Sequence, residues 1–296
     1  MTERDPDALR RVRNILQSPA YRRADRDFDF LDDNEVRGVR LQLDYLKTEL
    51  NLRRKGIEQT IVVFGSTRIP DPVEAQRRVD ELHAAQQQNR HDAKLKEELN
   101  IAERILAKSS YYTVATEFAA LVAKSGGGPG DPRVTIMTGG GPGIMEAANR
   151  GAYDAGAKSI GLNINLPHEQ RPNPYISEDL AFSVHYFAVR KLHFLLRARA
   201  LVALPGGYGT LDEVFETLTL VQTGTIEPLP IILVGEEFWR QVFDAEFLVK
   251  EGMIAAKDRL LFCYAETAEQ IWTEICRWHK GAGRTLLCDV PVADSN

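Results

Sequence analysis

Residues 200–213 read ALVALPGGYGTLDE, a short aliphatic run that leads through a glycine-rich turn into a helical pattern. An aliphatic run bounded by Pro and Gly is typical of a buried strand. From Leu211 onward the apolar positions recur with helical spacing as far as Thr223. The stretch therefore predicts a strand, a turn and a helix, which is the repeating unit of an α/β sheet.

The same alternation extends in both directions along the chain. Further strand-like runs are TIVVF (60–64), RVTIMTG (133–139), KSIGLNI (158–164), AFSVHYF (181–187), PLPIILVG (228–235) and RLLFCYA (259–265). Helical patterns lie between most of them, including single helices expected over 238–251 and 267–279. This order predicts an α/β fold, a Rossmann-like, doubly wound, mostly parallel sheet with helices on both faces.

Two segments fall outside that alternation. Residues 1–56 are rich in charge and contain no strand-like run, so they predict a helical N-terminal appendage, with one helix beginning at Asn34. The polar residues 71–109 predict a helical insertion. We therefore divide the chain into the appendage 1–56, a nucleotide-binding domain 57–281 and a C-terminal tail 282–296.

Composition excludes several classes of function. The 37 basic and 42 acidic residues give a net charge of −5, which offers no positive field to nucleic acid or an anionic membrane. No apolar run reaches the ~20 residues that cross a bilayer, and the charged start predicts no signal peptide, so we expect a cytoplasmic protein. The three cysteines form no CxxC pair, which predicts free thiols and no metal site.

Three glycine-rich turns follow predicted strands and point to a phosphate ligand; they lie at 65–67, 139–143 and 205–210. Glycine allows close backbone approach, and the helix that follows offers unpaired N–H groups to an anion. The dinucleotide pattern fails at its third glycine and GxxxxGK[ST] is absent, so a mononucleotide fits best. The candidate phosphate- and substrate-binding residues are Gly65, Ser66, Gly139, Gly140, Gly141, Met145, Gly206, Gly207, Gly209 and Thr210.

Two charged positions have both a structural and a functional interpretation. Thr210 and Glu213 have the spacing of a capping box, in which Glu213 would only bond back to the helix start. Alternatively, its carboxylate lies near a bound sugar phosphate and stabilises the positive charge that develops when an N-glycosidic bond breaks. Arg190 lies in a stripe with Tyr186, His193 and Arg197 that is either a solvated face or a contact to phosphate or base.

The segments GGGPGIMEA (139–147), Arg190–Lys191 and PGGYGTLDE (205–213) resemble those of the Lonely Guy (LOG) family, long labelled lysine decarboxylase-like. The resemblance covers about 60–251 and implies a Rossmann-like fold, usually in a homodimer or larger oligomer. It also implies that Arg190 and Glu213 are the catalytic pair and that Lys191 and Thr219 contact substrate.

Members of that family hydrolyse nucleoside 5′-monophosphates, including cytokinin riboside monophosphates, to free base and ribose 5-phosphate. We therefore expect an N-glycosidase acting on AMP or a similar nucleotide, with no cofactor, metal, nucleic acid or membrane partner. The sequence GGGPGIMEA is also similar to that of molybdenum-cofactor carrier proteins. A non-catalytic carrier or nucleotide sensor is the alternative.

Overall fold

The computed structural model describes residues 5, 7–125, 133–164 and 171–283. By its internal contacts the chain divides into two units, residues 1–47 and 48–296. The first contains α1 (Ala8–Gln17), α2 (Phe28–Asp32) and the start of α3 (Arg37–Arg54). No residue of α1 is buried, so this helix contributes nothing to a core.

The second unit contains a seven-stranded parallel sheet. Its strands are β1 (Gln59–Phe64), β2 (Val134–Thr138), β3 (Ser159–Ile164), β4 (Ala181–Val184), β5 (Ala198–Ala203), β6 (Ile231–Val234) and β7 (Phe262–Ala265). They lie in the order β4-β3-β2-β1-β5-β6-β7 with every pairing parallel. The predicted fold class is thus confirmed. The order reverses between β1 and β5, and ligands of such sheets bind beyond the carboxyl ends of the strands at this point.

Nine further helices in the described part of this unit connect and cover the strands. They are α4 (Pro72–Gln88), α5 (Ala93–Lys108), α6 (Ser110–Lys124), α7 (Ile144–Asp154), α8 (Phe187–Leu196), α9 (Tyr208–Gln222), α10 (Glu236–Val242), α11 (Ala245–Lys250) and α12 (Ala268–Gly281). The prediction of a single helix over 238–251 is wrong, because this stretch contains parts of two helices, α10 and α11. Phe243 between them is extended, and the Asp244 side chain caps α11 by accepting hydrogen bonds from the amides of Glu246 and Phe247.

Alternating strand residues build two cores on opposite faces of the sheet. Ile61 and Val63 pack in one cluster with residues of α6, α7 and α12, while Val62 and Phe64 pack in the other with α8, α9 and α10. Burial on both faces explains why β1 is apolar at every position from Ile61 to Phe64. The insertion has a small cluster of its own between α4 and α5, formed by Val79, Leu82, Leu99 and Ala102.

Two details bear on the expectations from composition. Cys276 is disulfide-bonded, so the expectation of three free thiols is wrong; bonding depends on Cα separation in the fold, which sequence spacing does not reveal. Within the described ranges, no helix has the length and apolar character needed to span a bilayer.

Candidate active site

A cavity of about 550 Å³ opens at the carboxyl ends of β1 and β5, where the strand order reverses. Its wall is built by the turn after β1, the start of α7, the start of α8 and the start of α9. The lining residues are Phe64, Gly65, Ser66, Thr67, Arg68, Met145, Ile164, Phe187, Arg190, Gly207, Tyr208, Gly209, Thr210, Asp212 and Glu213.

Backbone hydrogen bonds at Ser66 join the three glycine-rich turns. The Ser66 amide donates to the Pro205 carbonyl at 3.0 Å, and the Ser66 carbonyl accepts from the Ile144 amide at 3.1 Å. Gly143 has a φ of +71°, and a Cβ there would lie 2.4 Å from the Ser66 carbonyl oxygen. Glycine is therefore required where the second turn meets the first.

Helix α9 begins at the cavity with its amides unsatisfied. Gly207 is the N-cap residue, and glycine has no side chain that could cap the helix. Among the described residues, the Tyr208 and Gly209 amides have no hydrogen-bond partner. These N–H groups and the positive end of the helix dipole favour an anion at this place.

The capping-box interpretation of Glu213 is wrong. The helix starts at Tyr208, so Thr210 is its third residue and Glu213 lies in its second turn, beyond reach of the cap position. The Thr210 side chain lies against Gly206, where an added Cβ would be 2.2 Å from its Oγ1. Glu213 is therefore available to the cavity that it lines.

The Glu213 carboxyl is buried, with only 7% of the residue exposed. Its removal from water raises the pKa of Glu213 from 4.5 to about 7, and the Glu216 carboxylate adds to this increase. Lys191 and Arg190 oppose it, and the Lys191 Nζ lies 3.4 Å from Glu213 Oε2. A carboxyl that titrates near neutral pH can accept a proton during a reaction.

Lys191 does not line the cavity but holds three carboxylates of α9. Its Nζ lies 2.7 Å from Glu216 Oε2 and 2.9 Å from Asp212 Oδ2, in addition to the contact with Glu213. Burial opposes the charge of Lys191, yet the Glu216 and Asp212 carboxylates outweigh it and place the pKa of Lys191 above its ordinary value. This arrangement fixes the side chains around Glu213.

Arg190 lines the cavity and is held by neutral groups. Its Nε donates to the Leu162 carbonyl at 2.8 Å and its Nη2 to the Gly139 carbonyl at 3.2 Å. The guanidinium lies over the Phe194 ring, 5.2 Å from the centroid. Burial lowers the pKa of Arg190, an effect that Glu213 opposes. The predicted stripe is thus not a solvated face at Arg190, nor at His193, which is fully buried.

The turn at 139–141 lies behind Arg190 and does not line the cavity. The Thr138 Oγ1 accepts from the Gly140 amide at 3.0 Å, and Asn173 Nδ2 donates to the Gly141 carbonyl at 3.0 Å. A Cβ on Gly139 would lie 2.3 Å from Arg190 Nη2, which explains glycine there. The turn therefore places Arg190 rather than lining the cavity itself.

The predicted site residues thus separate into two groups. Those that line the cavity are Gly65, Ser66, Met145, Arg190, Gly207, Gly209, Thr210 and Glu213. Those that do not are Gly139, Gly140, Gly141, Lys191, Gly206 and Thr219, of which Thr219 is exposed and donates to the Phe215 carbonyl at 2.8 Å.

The prediction did not include seven other residues that line the cavity: Phe64, Thr67, Arg68, Ile164, Phe187, Tyr208 and Asp212. All of them except Ile164 lie within three residues of a residue that was predicted, so proximity to the motifs was the available signal. Across the described ranges, no group of three or more His, Cys, Asp or Glu side chains is placed to hold a metal ion.

Comparison with known proteins finds similarity over the segment that carries most of the site. Residues 145–275 match the family model described as "Possible lysine decarboxylase". The chain is 30% identical over 169 residues to "Cytokinin riboside 5′-monophosphate phosphoribohydrolase LOG" of Oryza sativa subsp. japonica, covering 55% of this chain and 65% of that protein. It is 28% identical over 169 residues to the LOG3 phosphoribohydrolase of Arabidopsis thaliana, covering 55% of this chain and 74% of that protein. The chain thus spans just under two thirds of the rice relative's length.

Among solved structures, the Moco Carrier Protein from Chlamydomonas reinhardtii is 17% identical, with a TM-score of 0.42, over 76% of this chain and 99% of its own. A similarity at this level does not bear on function. The family match instead includes the motifs at 190–191 and 205–213 and the end of the motif at 139–147. The segment that carries most of the cavity is therefore similar to proteins of the LOG family.

Proposed function

We propose that this protein hydrolyses the N-glycosidic bond of a nucleoside 5′-monophosphate, releasing the free base and ribose 5-phosphate. One observation carries the proposal: a buried carboxyl, Glu213, lines the same cavity as an uncapped helix N-terminus. The N-terminus of the helix can bind the 5′-phosphate. The carboxylate can stabilise the positive charge that develops at C1′ of the same sugar.

The phosphate lies against the start of α9 in this proposal. The unpaired Tyr208 and Gly209 amides donate to its oxygens, and the neighbouring glycines leave room for close approach. The base then extends toward the apolar part of the wall, formed by Met145, Ile164 and Phe187. The sequence LPHEQRPNPY (166–175) is a further candidate for lining the base pocket, and its residues 166–170 lie outside the described residues.

The chemistry needs one carboxylate and one water. As the bond from C1′ to the base nitrogen breaks, its electron pair goes to the base and positive charge develops on the sugar. Ionised Glu213 stabilises that charge and accepts a proton from the water whose oxygen bonds to C1′. The departing base gains a proton, so that the sum of the reaction is addition of one water. Arg190, which lines the same cavity, orients the substrate.

The substrate class rests on the relatives' names and on the cavity. The rice and Arabidopsis relatives are named as phosphoribohydrolases of cytokinin riboside 5′-monophosphate. We extend the proposal to AMP and similar nucleotides, because the apolar wall carries no charged group that would reject an unmodified purine. A homodimer or larger oligomer is part of the proposal through the family resemblance, and the cytoplasmic location stays a prediction.

The test is detection of free base by chromatography after incubation with AMP, GMP, CMP, UMP and a cytokinin riboside monophosphate. We expect wild type to release base from at least one of them, and Glu213→Gln to lose at least about 1,000-fold in kcat with AMP affinity within a few-fold. Glu216→Gln is the matched control, since Glu216 is on the same helix and pairs with Lys191 without lining the cavity.

Equal loss of affinity and turnover in Glu213→Gln would contradict the catalytic role. If wild type releases no base from any nucleotide but AMP still protects it against thermal unfolding, the carrier or sensor alternative is correct.

A further inference from the structure

The positive charges near the cavity differ in how much of their hydrogen-bonding capacity is already used. Arg190 donates to two backbone carbonyls and lies over an aromatic ring. Lys191 is surrounded by three carboxylates within 3.4 Å and does not line the cavity. Arg190 has thus committed two of its five N–H donors, and Lys191 is held by carboxylates away from the cavity wall.

Arg68 differs from both. It follows the turn after β1, and its own amide donates to Ser66 Oγ at 3.0 Å, which fixes its backbone at the rim of the cavity that it lines. The residue is exposed, and among the described residues its guanidinium makes no ion pair and no hydrogen bond. A guanidinium has five N–H donors in a planar fork that matches phosphate oxygens.

The position of the charges on the cavity wall, rather than their sum, favours an anion near Arg68. The charged lining residues are Arg68, Arg190, Asp212 and Glu213. Asp212 and Glu213 lie 2.9 and 3.4 Å from Lys191, which also pairs with Glu216, so these carboxylates already have a cation beside them. Among the described residues, no carboxylate pairs with Arg68, and Arg68 lines the same cavity as the unpaired amides of α9.

We infer that Arg68 contacts the phosphate of the bound nucleotide and sets the preference for a phosphorylated over an unphosphorylated nucleoside. The inference rests on the proposed function. It assigns the helix amides and Arg68 to the two sides of one phosphate, while Glu213 and Arg190 act at the sugar and base. Arg68 is thus a specificity residue, distinct from the pair proposed for catalysis.

A second cavity supplies the control. A groove of about 410 Å³ between α4 and α5 shares Thr67 and Arg68 with the active-site cavity and is also lined by Arg78. Arg78 is exposed and does not line the active-site cavity. An effect of Arg68 that arises from the groove would be reproduced by Arg78→Gln, whereas an effect that arises from the phosphate would not.

The experiment compares AMP with adenosine in wild type, Arg68→Gln, Arg68→Lys and Arg78→Gln. Loss of one charge-assisted contact should raise the KM for AMP by about 10- to 100-fold with kcat within about threefold. Adenosine should bind Arg68→Gln as it binds wild type, and Arg68→Lys should recover part of the AMP affinity. Because Arg68 is exposed and unpaired, the variants should fold normally, which circular dichroism and thermal unfolding check.

Unchanged AMP affinity in Arg68→Gln, or an equal loss for AMP and adenosine, would overturn the inference while base release by wild type still supports the proposed function. If wild type releases no base, the proposed function fails, and calorimetric binding of AMP and adenosine decides about Arg68 by the same criterion. If wild type binds AMP no better than adenosine, the inference is overturned as well.

Discussion

Glu213→Gln should stabilise the folded protein even as it removes turnover. Burial raises the pKa of Glu213 from 4.5 to about 7, so above pH 7 the fold holds a carboxylate that water would solvate better. A group with a raised folded-state pKa contributes stability below its unfolded pKa, and this contribution is lost as pH rises toward 7. The amide of glutamine has nearly the same shape and carries no charge.

The size of the gain follows from the pKa difference. Ionised Glu213 should cost the fold about 3 kcal/mol above pH 7, because each pKa unit corresponds to about 1.4 kcal/mol. At pH 5, where the folded-state carboxyl is protonated, the difference should shrink to under about 1 kcal/mol. Lys191 keeps its contacts with Asp212 and Glu216, so the substitution leaves Lys191 paired.

Urea unfolding of wild type and variant at pH 5, 6, 7 and 8, without nucleotide, measures this difference. Glu216→Gln is the control, because Glu216 is partly exposed and should change the free energy of unfolding by no more than about 1 kcal/mol at each pH. If Glu213→Gln does not increase the free energy of unfolding at pH 8, or increases it equally at every pH, the argument that this carboxyl is desolvated is refuted.

Three further outcomes follow from the contacts around the site. Lys191→Met should raise the pKa of the acid limb of the kcat/KM profile, which Glu213 sets, by at least about one unit. The reason is that an ion pair at 3.4 Å is worth about 1 kcal/mol even at the dielectric constant of water. Lys191→Arg should return this pKa to the wild-type value. Glu49→Gln should lower the free energy of unfolding by about 3 kcal/mol in urea titrations at pH 7, because it breaks a buried, doubly hydrogen-bonded pair with Arg197. The difference in free energy of unfolding between wild type and Glu49→Gln should decrease as pH falls from 4.5 toward 2, because the Arg197 hydrogen bond lowers the pKa of Glu49 to about 2. Gly139→Ala should reduce kcat at least about tenfold, because the added methyl group would lie 2.3 Å from Arg190 Nη2 and displace the guanidinium. A kcat equal to that of wild type would show that the reaction tolerates this displacement.

The sequence predicted most of the sheet because local pattern and tertiary structure agree there. Strand β5 and helix α9 are as expected in type, since an aliphatic run, a glycine turn and a helical period admit few alternatives. The predictions that failed in this part of the chain concern where helices begin and end. The single helix predicted over 238–251 is two helices, because capping by the Asp244 side chain allows a break that hydrophobic period does not register.

The site was predictable in kind but not in detail. The motifs identified the turns, but only three-dimensional placement shows that the turn at 139–141 lies behind Arg190. The start of α9 at Tyr208, two residues before the predicted cap at Thr210, decides that Glu213 faces the cavity, and helix boundaries are the least certain property of a sequence pattern. The contact of Lys191 with three carboxylates depends on the packing of α8 against α9, which no spacing reveals.

The hydrogen bonds at Ser66 have a consequence for the order in which the chain folds. They connect a turn near residue 66 to one near 144 and another near 205, so the binding surface exists only after contacts across more than 130 residues have formed. Contacts between such distant segments are slow to form, and parallel strand pairing shares this property. Nucleotide binding should therefore return with the slowest refolding phase of the domain, after helical circular dichroism has recovered.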